Sequence, residues 1–242
     1  MQRALVVGMS LACLYVGGVA SVMVPSGEGG TAGSTGTAAA PTRLDPVVVT
    51  GTQVALPVSE LPSAVTVIDR EEIESRQVTD VLQLLRTVPG LSVVQQGSRG
   101  SVTSVFPRGG NANFNMVLVD GVPVNNAGGD YDFSDLTTDN IERIEVIRGP
   151  QSALYGSNAI GSVIQIFTRR GKGPLQGSAS LSAGTFNTYE GHGTISGGTE
   201  RFGGSLGIGY VTTTGFLPFN NDYNDFTISS GLDYQPIEAL KL

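Results

Sequence analysis

The sequence predicts an α+β domain, a small mixed sheet with short helices, followed by the first antiparallel strands of an incomplete transmembrane β-barrel. Three observations carry that reading. Between residues 62 and 170, short β-branched runs alternate with a helical apolar repeat and with glycine and proline turns. After Pro174 the apolar period becomes two. The N terminus has the layout of an export signal.

Composition bounds the classes available. With 242 residues, 40% of them apolar, the chain can bury a core of one or two domains. The 34 glycines, 12 prolines and 14% charged residues favour turns and short strands over an average soluble enzyme. A net charge of −7 without a Lys/Arg cluster excludes nucleic acid as a partner, since phosphate binding needs clustered cations.

Residues 1–21 place Arg3 ahead of an apolar run that ends at the small residues Ala20 and Ser21, the pattern of a secretory signal peptide. A membrane-anchoring helix needs about 20 apolar residues, and this run barely reaches that before Pro25 and Gly27. Cys13, the one cysteine, lies inside the run with no leucine three residues before it, so a lipoprotein signal is disfavoured. Once the signal is removed, neither a disulfide nor a cysteine metal site remains. Residues 22–43 are rich in Gly, Ser, Thr and Ala and read as a flexible linker. Residues 44–52, LDPVVVTGT, then form an extended, β-branched segment with no partner of its own.

The α+β domain opens with a strand at 64–68. Asp69 and Glu72 follow with the spacing of a capping box, which starts a helical turn. Val78, Val81, Leu82, Leu85 and Val88 repeat at three and four residues as an amphipathic helix that Pro89 and Gly90 stop. A strand is expected at 91–95. Residues 116–119 and 122–124 flank Asp120-Gly121, a dipeptide suited to a tight hairpin turn. Strands at 143–148 and 162–168 enclose a glycine-punctuated turn, GPQSALYGSNAIG.

Beyond Pro174, Ala179, Leu181 and Ala183 alternate with serines. Tyr189, Gly191, Gly193 and Ile195 alternate with Glu190, His192, Thr194 and Ser196. The pattern recurs at Phe202, Gly204, Leu206, Ile208 and Tyr210, and at Phe226, Ile228, Leu232 and Tyr234. Segments of about 10 residues with aromatic ends mark transmembrane barrel strands. Periodicity alone fits a soluble antiparallel sheet with one wet face equally well; the export signal favours the membrane.

Four segments, DPVVVTGT, DVLQLLRTVPGLSV, FPRGGNANFNMVLVDGVPVN and IERIEVIRGPQSALYGSNAIGSVIQI, occur in an order and spacing that resemble TonB-dependent outer-membrane receptors. The resemblance runs from Asp45 to the C terminus, and the plug domain, residues 58–171, looks most like that of the cobalamin transporters. The resemblance implies a function: TonB-driven uptake of a large scarce ligand, cobalamin or an iron siderophore, across the outer membrane. It also implies a location, the outer membrane of a Gram-negative cell, with the plug facing the periplasm.

Within that resemblance residues 44–52 match the TonB box, so Asp45, Pro46, Val47, Val48, Val49 and Thr50 are the expected contacts for the periplasmic protein TonB, by strand addition. Within the plug, first-strand membership is the alternative for this segment. Arg108 and Arg148, each before a glycine, match arginines that pair with barrel carboxylates and hold the plug. Pro107 departs from the usual apolar residue there and places its strand at an edge or an early end. The ligand loops align with 97–104, 110–113 and 125–135, and residue-by-residue matching points to Val102, Ser104, Asn111, Gly129 and Asp130. Tyr131, Asp132 and Phe133 add groups suited to another ligand.

No cofactor is implied, and no enzyme. His192 is the one histidine, no triad or histidine-rich metal site can be built around it, and GPQSALYGS lacks the Gly-Lys-Ser/Thr ending of a phosphate loop. A lone plug acting as a periplasmic binding module is the rival, and it leaves the alternating strands unexplained. Residues 175–242 supply about four strands, whereas a plugged barrel has about 22. An open sheet edge in lipid leaves backbone groups unpaired at several kcal/mol each, so the chain is expected to be a fragment of a longer product or a truncated receptor.

Overall fold

The computed structural model describes residues 47–48, 50, 56–57, 59, 63–199, 201–219 and 221–234. The expected signal at 1–21, the linker at 22–43, and Leu44, Asp45, Pro46, Val49, Gly51 and Thr52 of the expected TonB box lie outside the described residues.

Two valines of that segment, β1 (Val47–Val48), pair antiparallel with β2 (Leu56–Pro57), with Val48 opposite Leu56. Strand β3 (Ala64–Asp69) runs into α1 (Arg70–Arg76), where Asp69 Oδ1 accepts the Glu72 N–H at 2.8 Å as the capping signature requires. The apolar repeat over 78–88 yields a helix only at α2 (Val81–Leu85). Asp80 is drawn instead into a bridge with Thr137, and Thr138 donates from its N–H to the Thr79 carbonyl and from Oγ1 to that of Val78. Tertiary pairing overrides helical periodicity there, while Val88 still reaches the core at 2% exposure.

Strand β4 (Leu91–Gln95) pairs with β5 (Thr103–Pro107), and Pro107 ends its strand in this two-stranded ribbon. A 3-10 turn at Ala112–Phe114 precedes β6 (Asn115–Val119), which turns into β7 (Val122–Pro123). Asp120 and Gly121 both have positive φ, at 49° and 85°, the geometry that the Asp-Gly dipeptide favours. Strand β8 (Ile141–Arg148) and strand β9 (Ser162–Thr168) follow as expected, but the stretch between them holds a short helix, α3 (Ser152–Tyr155), rather than a plain turn.

The main sheet has order β3-β8-β9-β6-β7, with β6 and β9 parallel and every other pair antiparallel. Alternation gives it two faces. One carries Val117, Ile144, Val146, Ile164 and Ile166 against Ile73, Val81, Leu84 and Leu85 of the helices. Each fully buried side chain of this size contributes about 1.5–3 kcal/mol, so this layer holds the domain together. The second face carries Met116, Leu118 and Val163 with Ala159, and also Glu145 and Gln165.

After Pro174 four strands form an antiparallel meander, β10 (Gln176–Gly184), β11 (Thr188–Gly198), β12 (Phe202–Thr213) and β13 (Tyr223–Tyr234). Register confirms the predicted alternation: Ile208 stands opposite Ile228, Tyr210 opposite Phe226 and Phe202 opposite Tyr234. These six are exposed on one side, together with Leu181, Tyr189, Ile195 and Leu232. On β12 the opposite side is buried and small, with Gly203, Ser205, Gly207 and Gly209.

Candidate functional site

Val48 and Thr50 lie against the plug, with Thr50 on the second face of the main sheet. Val48 and Thr50 are fully buried. Thr50 donates its backbone N–H to Glu145 Oε2 at 3.0 Å, and its hydroxyl lies 2.5 Å from the same oxygen and 2.9 Å from Gln165 Oε1. The Thr50 carbonyl accepts from the Tyr155 hydroxyl at 2.8 Å. Glu145 is itself fully buried, and its other oxygen accepts from Arg143 Nε at 2.8 Å. Arg143 in turn stacks over Phe167 at 3.8 Å. Glu145 and Gln165 are register partners on β8 and β9, so neighbouring strands deliver both groups to Thr50. Burial, reinforced by the Glu145 charge, raises the Tyr155 phenol above its usual pKa, which keeps it a hydrogen-bond donor.

Of the five expected ligand residues Ser104 lies on β5 and the other four on loops, and one segment, 125–135, links these parts together. Val102 is exposed, and Ser104 is half-buried on β5. Between them Thr103 donates its N–H to Asp132 Oδ1 at 2.9 Å and accepts from the Phe133 N–H at 3.0 Å. At the other end Gly129 is buried against Asn113 and Asn158, and Asp130 is exposed beside it. Asn111 is exposed at the start of the 3-10 turn. Asn125 fastens this segment to β6: its Nδ2 donates to the carbonyls of Asn115 and Gly129, and its Oδ1 accepts from the Val117 N–H, each at 2.8 Å. Phe133, read from sequence as a possible ligand group, is 1% exposed and packs edge-on against Tyr131 in the core. Asp132 is engaged by backbone N–H groups, including that of Ser134.

Arg108 and Arg148 converge on Gly90, where a Cβ would lie 3.7 Å from one side chain and 3.8 Å from the other. Arg148 donates to the Pro89 carbonyl at 2.6 Å and to Thr66 Oγ1 at 3.0 Å, while Arg108 is exposed with a φ of 46°.

Residues 57–163 match the family model described as the TonB-dependent receptor plug domain. The chain carries the plug domain of a TonB-dependent receptor. It is 37% identical, over 201 aligned residues and 75% of its length, to the vitamin B12 transporter BtuB of Vibrio vulnificus (strain CMCP6). It spans 33% of that relative's length. Among solved structures it shares its fold with the alcaligin outer-membrane receptor FauA of Bordetella pertussis. The TM-score there is 0.64 at 22% identity, covering 79% of this chain and 32% of that one. It is similar also to the pyoverdine receptor FpvA of Pseudomonas aeruginosa PAO1, with a TM-score of 0.61 at 23% identity over 71% of this chain and 25% of that one. The meander after the plug is an antiparallel sheet of four strands that does not close into a barrel among the described residues.

Plug and meander meet through charges that sequence reading missed. Arg99, in the β4–β5 loop, donates one Nη to Glu190 of β11 and the other to Asp80 at 3.3 Å, and the three side chains are 28%, 17% and 16% exposed. Burial pushes the Asp80 carboxyl above its usual range, Arg99 pulls it back, and Glu190 adds to the rise. Arg99 thus bridges two carboxylates brought close together from the plug and from the meander. Nearby, His192 Nδ1 of β11 lies 2.9 Å from Asp139 Oδ1. The plug approaches this closely because β12 presents glycines: a Cβ at Gly209 would fall 2.8 Å from Asp139 Oδ2, and one at Gly207 3.2 Å from Asn140 Cβ. The Tyr223 hydroxyl donates to Asp135 at 2.9 Å and adds a link from β13. The alternation places Glu190 and His192 on the polar strand face, but nothing in sequence says what that face meets.

Proposed function

We propose that this chain is the N-terminal part of a receptor that takes up a large scarce ligand, cobalamin or a ferric siderophore, across the outer membrane, with TonB supplying the work. Residues Asp45, Pro46, Val47, Val48, Val49 and Thr50 are the TonB contact, joining TonB by strand addition. Val102, Ser104, Asn111, Gly129 and Asp130 meet the ligand from the plug side. Arg108 and Arg148 face carboxylates of the remaining barrel. The plug faces the periplasm and no chemistry is done on the ligand.

The observation that carries this reading is the docked segment: a β-branched strand precedes a plug domain and is held against its sheet by hydrogen bonds that water can replace. The 37% identity to a vitamin B12 transporter supports cobalamin, and the solved receptors for alcaligin and pyoverdine support a siderophore. The test is uptake by cells expressing the receptor, using radiolabelled cyanocobalamin and ferric siderophores in strains with and without TonB. Accumulation of one ligand only where TonB is present is the expected result. Uptake independent of TonB, or of neither ligand class, refutes it.

A further inference from the structure

We propose that Glu145 is a positioning residue for energy coupling, a buried latch that holds the coupling segment on the plug through Thr50 and lets it go as a unit. This rests on the reading of residues 45–50 as the TonB contact.

The latch is built rather than incidental. A buried carboxylate is costly unless hydrogen-bonded, and Glu145 has one oxygen set by Arg143 and the other turned to Thr50, which meets it with both its N–H and its hydroxyl. Gln165 and Tyr155 close the remaining two sides of Thr50. The residue is thus held by β8, β9 and α3 together, while Val47 and Val48 pair with Pro57 and Leu56.

The chemistry suits reversible docking. An apolar plug of the same size, once lifted, would leave an apolar hole facing water. Lifting Thr50 leaves a carboxylate that water solvates, so the undocked state is not heavily penalised. The latch also sets where force enters. β8 and β9 are interior strands of the main sheet, and a pull on the segment reaches them through Thr50.

Docking also hides the segment. Val48 is fully buried, so a partner that adds a strand there must first find it released. Weakening the latch is therefore expected to expose the segment and raise TonB engagement without any ligand.

The test uses the receptor in outer-membrane preparations, carrying Val48→Cys and probed with a membrane-impermeant maleimide, alongside capture of the purified periplasmic domain of TonB. Against that background Thr50→Val and Glu145→Gln are each expected to raise the modification rate about tenfold or more, because each removes a hydrogen bond to a charged group. Both should raise ligand-free capture of the TonB domain, and Thr50→Ser, which keeps the hydroxyl, should restore both readouts. Ala159→Cys, at a fully buried plug position, reports in parallel whether the plug itself has loosened. Where Glu145→Gln loosens it, Thr50→Val decides alone. Unchanged modification in a variant that still captures TonB overturns the latch and leaves the coupling reading standing. Failure of every form, the receptor with Val48 intact included, to capture TonB overturns the coupling reading itself.

Discussion

Replacing Arg99 with methionine tests the seam between plug and meander. The substitution keeps the apolar stem and removes the charge that Asp80 and Glu190 share. Breaking a buried ion pair from one side costs about 3–5 kcal/mol, because the other charge is stranded. Arg99 retains 28% exposure, and solvent screening at that edge lowers the expectation to about 2–3 kcal/mol. The assay is a urea titration of the receptor in detergent micelles, followed by thiol modification of Ala159→Cys, which is buried until the plug opens. If stranded carboxylates are the cause, adding Asp80→Asn and Glu190→Gln to Arg99→Met should recover most of the loss, since three neutral groups no longer repel or demand solvation. A loss under about 0.5 kcal/mol, the range of an indifferent surface change, refutes the reasoning. So does a triple variant no better than the single one.

Val48→Pro removes the strand donor opposite Leu56; binding of the transported ligand by the receptor should persist while TonB-dependent uptake is abolished, and unchanged uptake sinks the assignment. Asn125→Ala deletes three hydrogen bonds of 2.8 Å, two that tie the 125–130 turn to β6 and one that closes the turn on Gly129. At about 1 kcal/mol each the turn should lose order, seen as faster hydrogen exchange of the Val117 amide. Ile228→Arg places a cation on the exposed apolar face; a cost of up to about 2–4 kcal/mol is expected if that face meets lipid near the bilayer centre, read as reduced assembly into the outer membrane. Force applied through the N terminus should first free the chain from Thr50 to Ala64, about 45–50 Å of contour, before any sheet strand of the plug; a single rupture of the whole plug contradicts the latch.

Legibility in sequence followed the range of the interaction. The hairpin at Asp120-Gly121, the Asp69 cap and the strand alternation are local, each fixed by a few adjacent residues, and each is found where expected. Helix α2 was overestimated because Asp80 and Val78 are claimed by Thr137 and Thr138, partners some 60 positions away that no periodicity reveals. The short helix α3 was hidden in a glycine-rich stretch whose composition reads as turn. Within the site, the order of motifs pointed to the segment at 44–52 and to the loops. The residues that hold them, Glu145, Asn125 and Arg99, lie 95, 10 and 91 positions from the groups that they bind. A buried glutamate in the middle of an apolar strand, IERIEVIR, was the one visible hint: the apolar periodicity of that strand gives no reason for a charge there unless something meets it.

The plug's contacts divide by chemistry. On the helix-facing layer of the main sheet the buried groups are chiefly Ile, Val and Leu, each worth about 1.5–3 kcal/mol and lost only together when the layer opens. At the seam with the meander the facing groups are Gly, Ser, His and paired charges, which bury little apolar area and whose hydrogen bonds are worth about 1 kcal/mol apiece. The same holds at Thr50, which is seated on a carboxylate, an amide and a phenol. Polar contacts can be exchanged for water one at a time, whereas an apolar core cannot be wetted in steps. The domain is therefore weakest at its two borders and strongest in its own sheet. A pull on the chain at Val48 therefore meets the exchangeable contacts of Thr50 before it reaches the apolar layer of the sheet.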